Sequence, residues 1–383
     1  MTRILYIGDP LSVHDIKWVS FFSLRPDFET FFLVQESELK LLTEARRKQF
    51  ADNNITIVGP IKSYSLWRFW ENKSSIETIR KVIQERKIDV VHTLFATPFA
   101  LWTPALNIPS VITTRGSDIL VVLSSLQNQS GLRGIHSKLL LSRFKSAFLK
   151  SGAITCTSQG QLDRINKIFN SNISAQIIRT GVNVEEIAQL KPSLKLPSIF
   201  NGKKIIFLPR YIQPIYRTEL QLNAIMELPQ EIRSQIAIIL IKGSRVSADY
   251  YSKIEQLLAS CGVFYHIFES LSQQEMWSAF KMSSVAIMTP KTDGTPNSAL
   301  EAMAAKCPII LGNFDYDDDL FSEEFCLRMK TDSNSELSKL ITNALSEYEE
   351  EKLERAFVNI SNKGNRPTEM NRLLEIYSNL LQR

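Results

Sequence analysis

Short runs rich in β-branched residues alternate with helical patterns along almost the whole chain, and this rhythm narrows the possible folds more than any other feature. Strand patterns fall at 3–7, 30–33, 89–92, 110–114, 153–155 and 176–179, with helical stretches such as 76–86 and 159–169 between them. Strand followed by helix predicts parallel sheets covered on both faces, because a parallel crossover is long enough to hold a helix. The rhythm breaks at Lys191-Pro-Ser-Leu-Lys-Leu-Pro-Ser-Ile-Phe-Asn-Gly202, where two prolines and Ser/Asn/Gly read as a linker. It restarts with strands at 204–208, 236–241, 263–267, 285–288 and 308–311, and helices at 219–227, 248–260, 273–281 and 296–305. After 334 the pattern is helical, with a break near 363–367. A chain of 383 residues is long enough for two such cores. The reading is α/β: two Rossmann-like doubly wound domains facing across a cleft, 1–190 and 203–367, joined through 191–202. Sheets of this kind bind ligands at the carboxyl ends of their strands.

Composition excludes several classes. With 44% hydrophobic and 22% charged residues the chain is globular, neither disordered nor fibrous. No apolar run approaches the roughly 18–20 residues of a membrane span. The N-terminal MTRILYIGDPL meets Asp9 too early for a secretory leader and reads as a buried strand. Cys156, Cys261, Cys307 and Cys326 stand far apart without a CxxC pair, so zinc and redox motifs are absent and reduced thiols in a cytoplasmic protein are expected. There is no GxGxxG after the first strand, no GxxxxGK[ST] and no GxSxG, which removes dehydrogenase, P-loop and nucleophile-elbow chemistry.

Charge is uneven. Residues 1–190 hold 23 Lys+Arg against 16 Asp+Glu, a net +7, and the remainder a net −2. No acid occurs between Asp118 and Asp163. In that window, residues 131–150 alternate Arg133, Lys138, Arg143, Lys145 and Lys150 with leucines and with Phe144 and Phe148. Two readings stay open: a basic amphipathic helix for an anionic membrane, at about 1 kcal/mol per cation, or a solvated face on a helix packed into the first core. No nucleic-acid reader motif accompanies the basic window, so nucleic acid is not an expected partner. The run Asp315-Tyr-Asp-Asp-Asp319 reads as a solvated turn rather than a metal triplet.

The segment Met288-Thr-Pro-Lys-Thr-Asp-Gly-Thr-Pro-Asn-Ser-Ala-Leu-Glu-Ala-Met-Ala-Ala-Lys-Cys-Pro-Ile-Ile-Leu311 carries the most chemistry. A strand ends at Met288, a turn follows at Asp293-Gly294, and a helix begins with Thr295 as N-cap and Pro296 in first helical position. The N–H groups of Asn297 and Ser298 then form an anion site. Glu301 reaches back as a hydrogen-bond acceptor, with Asp293 eight residues earlier. Two carboxylates beside a phosphate site suit a ligand with both phosphates and hydroxyls.

This segment resembles the signature of the family 4 glycosyltransferases, retaining enzymes of the GT-B fold, whose pattern is an acid, seven residues, then Glu in a Leu-Glu-Ala-Met-Ala helix. Asp293 stands where Glu is more frequent, and Lys306 where Gly usually follows the helix. The resemblance implies that Asp293 contacts sugar hydroxyls of a nucleotide-sugar donor, that Glu301 holds the ribose, and that the helix start, from Gly294 and Thr295 to Asn297 and Ser298, holds the diphosphate. Other matches follow in the expected order. Phe207-Leu-Pro-Arg210 resembles the strand ending in a phosphate-binding Arg; the partner Lys is replaced by Ile215, which makes Arg217 the substitute candidate. Thr113-Thr-Arg-Gly-Ser-Asp118 resembles a His-Gly-Ser-Asp loop near the sugar and acceptor, with Arg115 for His; Arg115 and Asp118 are carried over with Asp293 as catalytic candidates. Arg115 cannot serve as a base at neutral pH but can hold an anionic acceptor or phosphate. The first strand and its loop, with Gly8, Asp9 and His14, resemble the acceptor-facing segment, and Arg179-Thr-Gly-Val-Asn183 the segment before the linker. The resemblance also implies that the terminal helix, about 368–383, returns to the first domain.

The expected activity is transfer of a sugar, with retention, from a nucleotide-diphosphate donor to a hydroxyl of a glycan or lipid-linked acceptor, with no cofactor and no metal. Surface polysaccharide synthesis at the inner face of the membrane, with 131–150 as the contact, fits this reading. The alternatives are a nucleotide-sugar epimerase of the same fold and a catalytically inactive nucleotide-binding relative.

Overall fold

The computed structural model describes residues 1–243, 246–291, 293 and 295–382. The chain forms two compact units, one of Met1–Thr180 with Glu369–Arg383 and the other of Gly181–Thr368.

In the first unit seven strands run parallel: β1 (Thr2–Ile7), β2 (Phe28–Gln35), β3 (Ile55–Ile61), β4 (Val90–Thr93), β5 (Ser110–Thr114), β6 (Ala153–Cys156) and β7 (Gln176–Ile177). Their order is β3-β2-β1-β4-β5-β6-β7, so the winding reverses between β1 and β4. Alternate residues of each strand point to opposite faces, and both faces are buried. Ile4, Tyr6, Phe32 and Val90 pack against Trp18 and Phe22 of the helix Val13–Ser23 and against Leu373, Ile376 and Tyr377 of the helix Arg366–Leu381. Leu5, Ile7, Phe31, Leu33 and Val91 pack against Ile79 and Trp102. Double-sided burial is why these strands read as near-continuous apolar runs.

β3 escaped the strand pattern because Gly59-Pro60 interrupts it. It lies at the sheet edge, where proline's missing N–H breaks no ladder bond.

The second unit holds six parallel strands: β8 (Lys204–Tyr211), β9 (Ile236–Ile241), β10 (Phe264–Phe268), β11 (Val285–Met288), β12 (Ile309–Leu311) and β13 (Leu327–Arg328). Their order is β10-β9-β8-β11-β12-β13, with the reversal between β8 and β11. The two faces again divide by parity: Phe207, Ile239, Met288 and Leu311 enter one core, while Ile206, Ile238, Ile287 and Ile310 enter the other. The two-residue β13 is too short to leave a sequence signal.

Residues 191–202, read as a linker, belong to the second unit's packing. Leu194 and Phe200 are buried in its core, and the Ser278 hydroxyl accepts the N–H groups of Ser193 and Leu194 at 2.6 and 2.8 Å. The boundary between the units falls earlier, at Thr180/Gly181. Lys306 closes the signature helix in a left-handed conformation, φ 54°, which is why a glycine would suit that position. All four cysteines are buried and unbridged. Among the described residues no helix is long and apolar enough to cross a membrane.

Candidate functional site

The topological reversal in the second unit brings the end of β8 beside the loop that follows β11, and the charged residues singled out in the sequence meet there. Arg210 leaves the carboxyl end of β8. Its Nη2 lies 3.0 Å from Asp293 Oδ2, with the two side chains only 20% and 16% exposed. Its Nη1 donates to Ser298 Oγ at 3.1 Å, and the guanidinium lies 4.4 Å over the Tyr216 ring. Burial disfavours the Arg210 charge, but Asp293 and then Tyr216 outweigh it and raise its pKa above the ordinary value.

The signature helix runs Asn297–Ala304, and Pro296, not Thr295, takes the N-cap position with ψ 107°. The start is therefore one residue later than the sequence suggests. Pro296 offers its carbonyl to Ala299 and Leu300 at 2.9 and 3.3 Å, and the N–H groups of Asn297 and Ser298 have no acceptor within the helix. Ser298 is buried, Asn297 and Thr295 are half-buried, and Gly294 lies outside the described residues. Glu301 is buried one turn in and accepts the Gln273 amide at 2.8 Å.

Arg217 sits in the left-handed region, φ 53°. It spends Nε on the Thr289 carbonyl at 2.7 Å and pairs Nη1 with Asp332 Oδ2 at 2.6 Å. Only its Nη2 is buried without a hydrogen-bond partner among the described residues. Ile215, at the position of the missing lysine, is 40% exposed. Two further residues gave no sequence signal. At Gly312 a Cβ would fall 2.8 Å from Thr289 Cα and 3.3 Å from Arg217 Nη2, so only glycine fits. Tyr316 is buried, its hydroxyl has no hydrogen-bond partner among the described residues, and its pKa is raised first by burial and then by Asp293, against Arg210 and Arg217.

The reversal in the first unit, between β1 and β4, collects a second group. Asp15 was not anticipated. It is buried, accepts the Asp9 N–H at 2.9 Å and lies 3.1 Å from Arg115 Nη1. Burial pushes the Asp15 carboxyl up and the Arg115 guanidinium down, each opposed by the other's charge. Arg115 also stacks over Trp18 at 5.1 Å. A Cβ on Gly8 would lie 2.3 Å from Asp15 Oδ2, so a larger residue there would have to displace that carboxylate. His14 is exposed in the first turn of the helix Val13–Ser23.

Asp118 has no exposed surface, and its oxygens accept the N–H groups of Ala96, Arg115, Gly116 and Ile119 at 3.0–3.1 Å. In this geometry it shapes the Arg115 loop; it is a positioning residue rather than a group that meets substrate. His92 is likewise structural. Its Nδ1 and Nε2 meet the Tyr377 and Thr113 hydroxyls at 2.5 and 2.6 Å, and burial, with Arg115 adding, lowers its pKa to about 3. In the acidic run, Asp318 pairs with Arg328 at 2.5 Å; among the described residues no group of three or more His, Cys, Asp or Glu could hold a metal.

In the second unit, then, cations and helix-start amides able to take an anion adjoin the half-buried Asp293 and the buried Glu301, which can accept hydroxyls. Comparison with solved structures shows the fold to be that of known glycosyltransferases. A glycosyltransferase from Rickettsia africae superposes with a TM-score of 0.78 at 14% identity, covering 100% of this chain and 99% of the other. Anabaena HepE in complex with UDP gives 0.78 at 12% identity, over 99% and 100%. Sucrose-phosphate synthase from Thermosynechococcus elongatus gives 0.71 at 14% identity, over 100% of both chains. Among curated proteins none matches.

The family model described as Glycosyltransferase Family 4 matches residues 33–186, and that described as Glycosyl transferases group 1 matches residues 195–363. The chain belongs to this family of GT-B glycosyltransferases.

Proposed function

We propose that the second unit holds a nucleoside-diphosphate sugar and that the protein transfers the sugar, with retention and without a metal, to a hydroxyl of a glycan or lipid-linked acceptor. The observation that carries this reading is the convergence of Arg210, Asp293 and Ser298 at the β8/β11 reversal. The diphosphate would take the Asn297 and Ser298 amides, Arg210 and the Nη2 edge of Arg217. Asp293 would orient the sugar hydroxyls, and Glu301 the ribose. As the bond from C1 to the phosphate oxygen breaks, negative charge grows on the leaving diphosphate, where fixed cations and amides are worth most. The acceptor oxygen forms the new bond to C1 on the same face, and its proton passes to the departing phosphate. UDP is the first nucleotide to test, because HepE carries it. On the first unit, Arg115 would hold an anionic group of the acceptor, with Gly8, Asp9 and His14 around it, and helix 131–150 would meet an anionic membrane surface.

The test is transfer from UDP-glucose, and from the guanosine, adenosine and cytidine donors, to an added alcohol. Proton NMR is used to read the anomeric configuration, with and without EDTA. Retained configuration and EDTA-insensitive turnover support the reading. Inverted product overturns retention, and loss of turnover in EDTA overturns metal independence.

A further inference from the structure

The first unit contains a cavity of about 400 Å³ formed behind the carboxyl ends of β3, β4 and β5. Tyr64, Trp67, Phe95, Leu101, Leu140 and Phe144 supply its apolar walls, a size and lining typical of small-ligand sites. Trp67 belongs to the wall yet is 68% exposed, and its ring stacks on His136 of the helix Gly131–Lys150 at 5.8 Å. Phe69 and Trp70 follow it, 71% and 57% exposed. On the helix, Leu132, Ile135 and Leu139 are exposed at three- and four-residue steps from one another, and Leu132 and Leu139 stand four and three residues from the lining residue His136. Exposed Arg133, Lys138 and Arg143 stand among them, and no acid occurs between Asp118 and Asp163.

We propose that this cavity binds a hydrocarbon chain of an anionic lipid, the tail of a lipid-linked acceptor. The inference rests on the acceptor reading above. Two observations favour a lipid over a peptide. A peptide backbone entering the cavity would need hydrogen-bond partners, and the lining offers few polar side chains, whereas a hydrocarbon chain needs none. The rim combines exposed aromatics with cations, the pairing suited to a membrane interface and an anionic headgroup. The cavity is also tied to the loop assigned to the acceptor. Asp118 accepts the N–H of Ala96, between the lining residues Phe95 and Thr97, and also that of Arg115.

The test is calorimetric titration of the full chain with monomeric dioctanoylphosphatidylglycerol, glycerol 3-phosphate as headgroup control, and UDP in parallel. Saturable binding of the lipid but not of the headgroup is expected, weakened about tenfold in Leu140→Gln, which places a polar group in the cavity. Trp67→Ala, a change at a mostly exposed side chain, serves as the second variant and is expected to weaken binding too. UDP binding should be unchanged in both. No saturable lipid binding by wild type, or binding by both variants as tight as that of wild type, overturns the proposal. So does vesicle adsorption that depends only on Arg133, Lys138 and Arg143. Failure of UDP to bind wild type would instead sink the donor reading, whatever the lipid does.

Discussion

Arg210 and Asp293, 83 positions apart in sequence, form an ion pair at 3.0 Å across the topological reversal of the second sheet. Each residue offers to a ligand a charge that its partner already neutralises. On the proposed donor site, an incoming diphosphate would compete with Asp293 for Arg210, and the sugar hydroxyls would compete with Arg210 for Asp293.

Removing the Asp293 charge should therefore separate binding from turnover. Asp293→Asn is expected to bind the free nucleoside diphosphate more tightly, by about 1 kcal/mol or roughly fivefold, while sugar transfer falls. Calorimetry with UDP and a transfer assay read the two effects. Weaker diphosphate binding would show that the pair does not compete with the ligand.

The Tyr316 hydroxyl offers a second separation. Because it is buried without a partner among the described residues, Tyr316→Phe should leave the melting temperature unchanged or raise it, since deleting an unsatisfied polar atom relieves a cost. Donor KM should rise if the hydroxyl serves the bound sugar nucleotide. A drop in melting temperature with KM unchanged would make it a structural residue.

Gly8→Ala should destabilise the first unit by about 1–3 kcal/mol, because the added methyl overlaps Asp15 and displaces the Arg115 partner. Nucleoside-diphosphate binding should survive under conditions where the variant is folded, and transfer to the acceptor should not. Denaturant unfolding and calorimetry check both.

His92 predicts a pH dependence. Its folded pKa, about 3, lies below the ordinary 6.5, so the unfolded chain binds more protons between these values. Stability therefore falls as pH drops from about 6.5 towards 3, as the unfolded histidine takes up a proton that the buried one refuses. In His92→Gln this contribution disappears, and the stability difference between wild type and variant should shrink over that window. A difference independent of pH would contradict the assignment.

The architecture is legible in the sequence because both sheets are buried on two faces and their strands are plainly apolar. β3 carries no clear strand pattern because Gly59-Pro60 interrupts this edge strand, and 191–202 carries a linker signal in its prolines although its Leu194 and Phe200 are buried. Asp293, Ser298 and Glu301 stand out in the local strand–turn–helix pattern, and Arg210 only through the family resemblance. Their mutual contacts do not, because pairing across a sheet reversal leaves no local pattern. Asp15, Gly312 and Tyr316 had no motif at all. Their roles come from what the fold sets beside them: an arginine a hundred residues on for Asp15, the Thr289 backbone for Gly312, and the Asp293–Arg210 pair for Tyr316.

The most direct measurement is calorimetric titration of wild type, Arg210→Ala and Glu301→Ala with UDP, GDP, ADP and CDP. One nucleoside diphosphate should bind wild type saturably and lose at least about 1.4 kcal/mol, a factor of ten, in each variant that remains folded. Wild-type binding that both variants retain in full would place the nucleotide elsewhere and contradict the site.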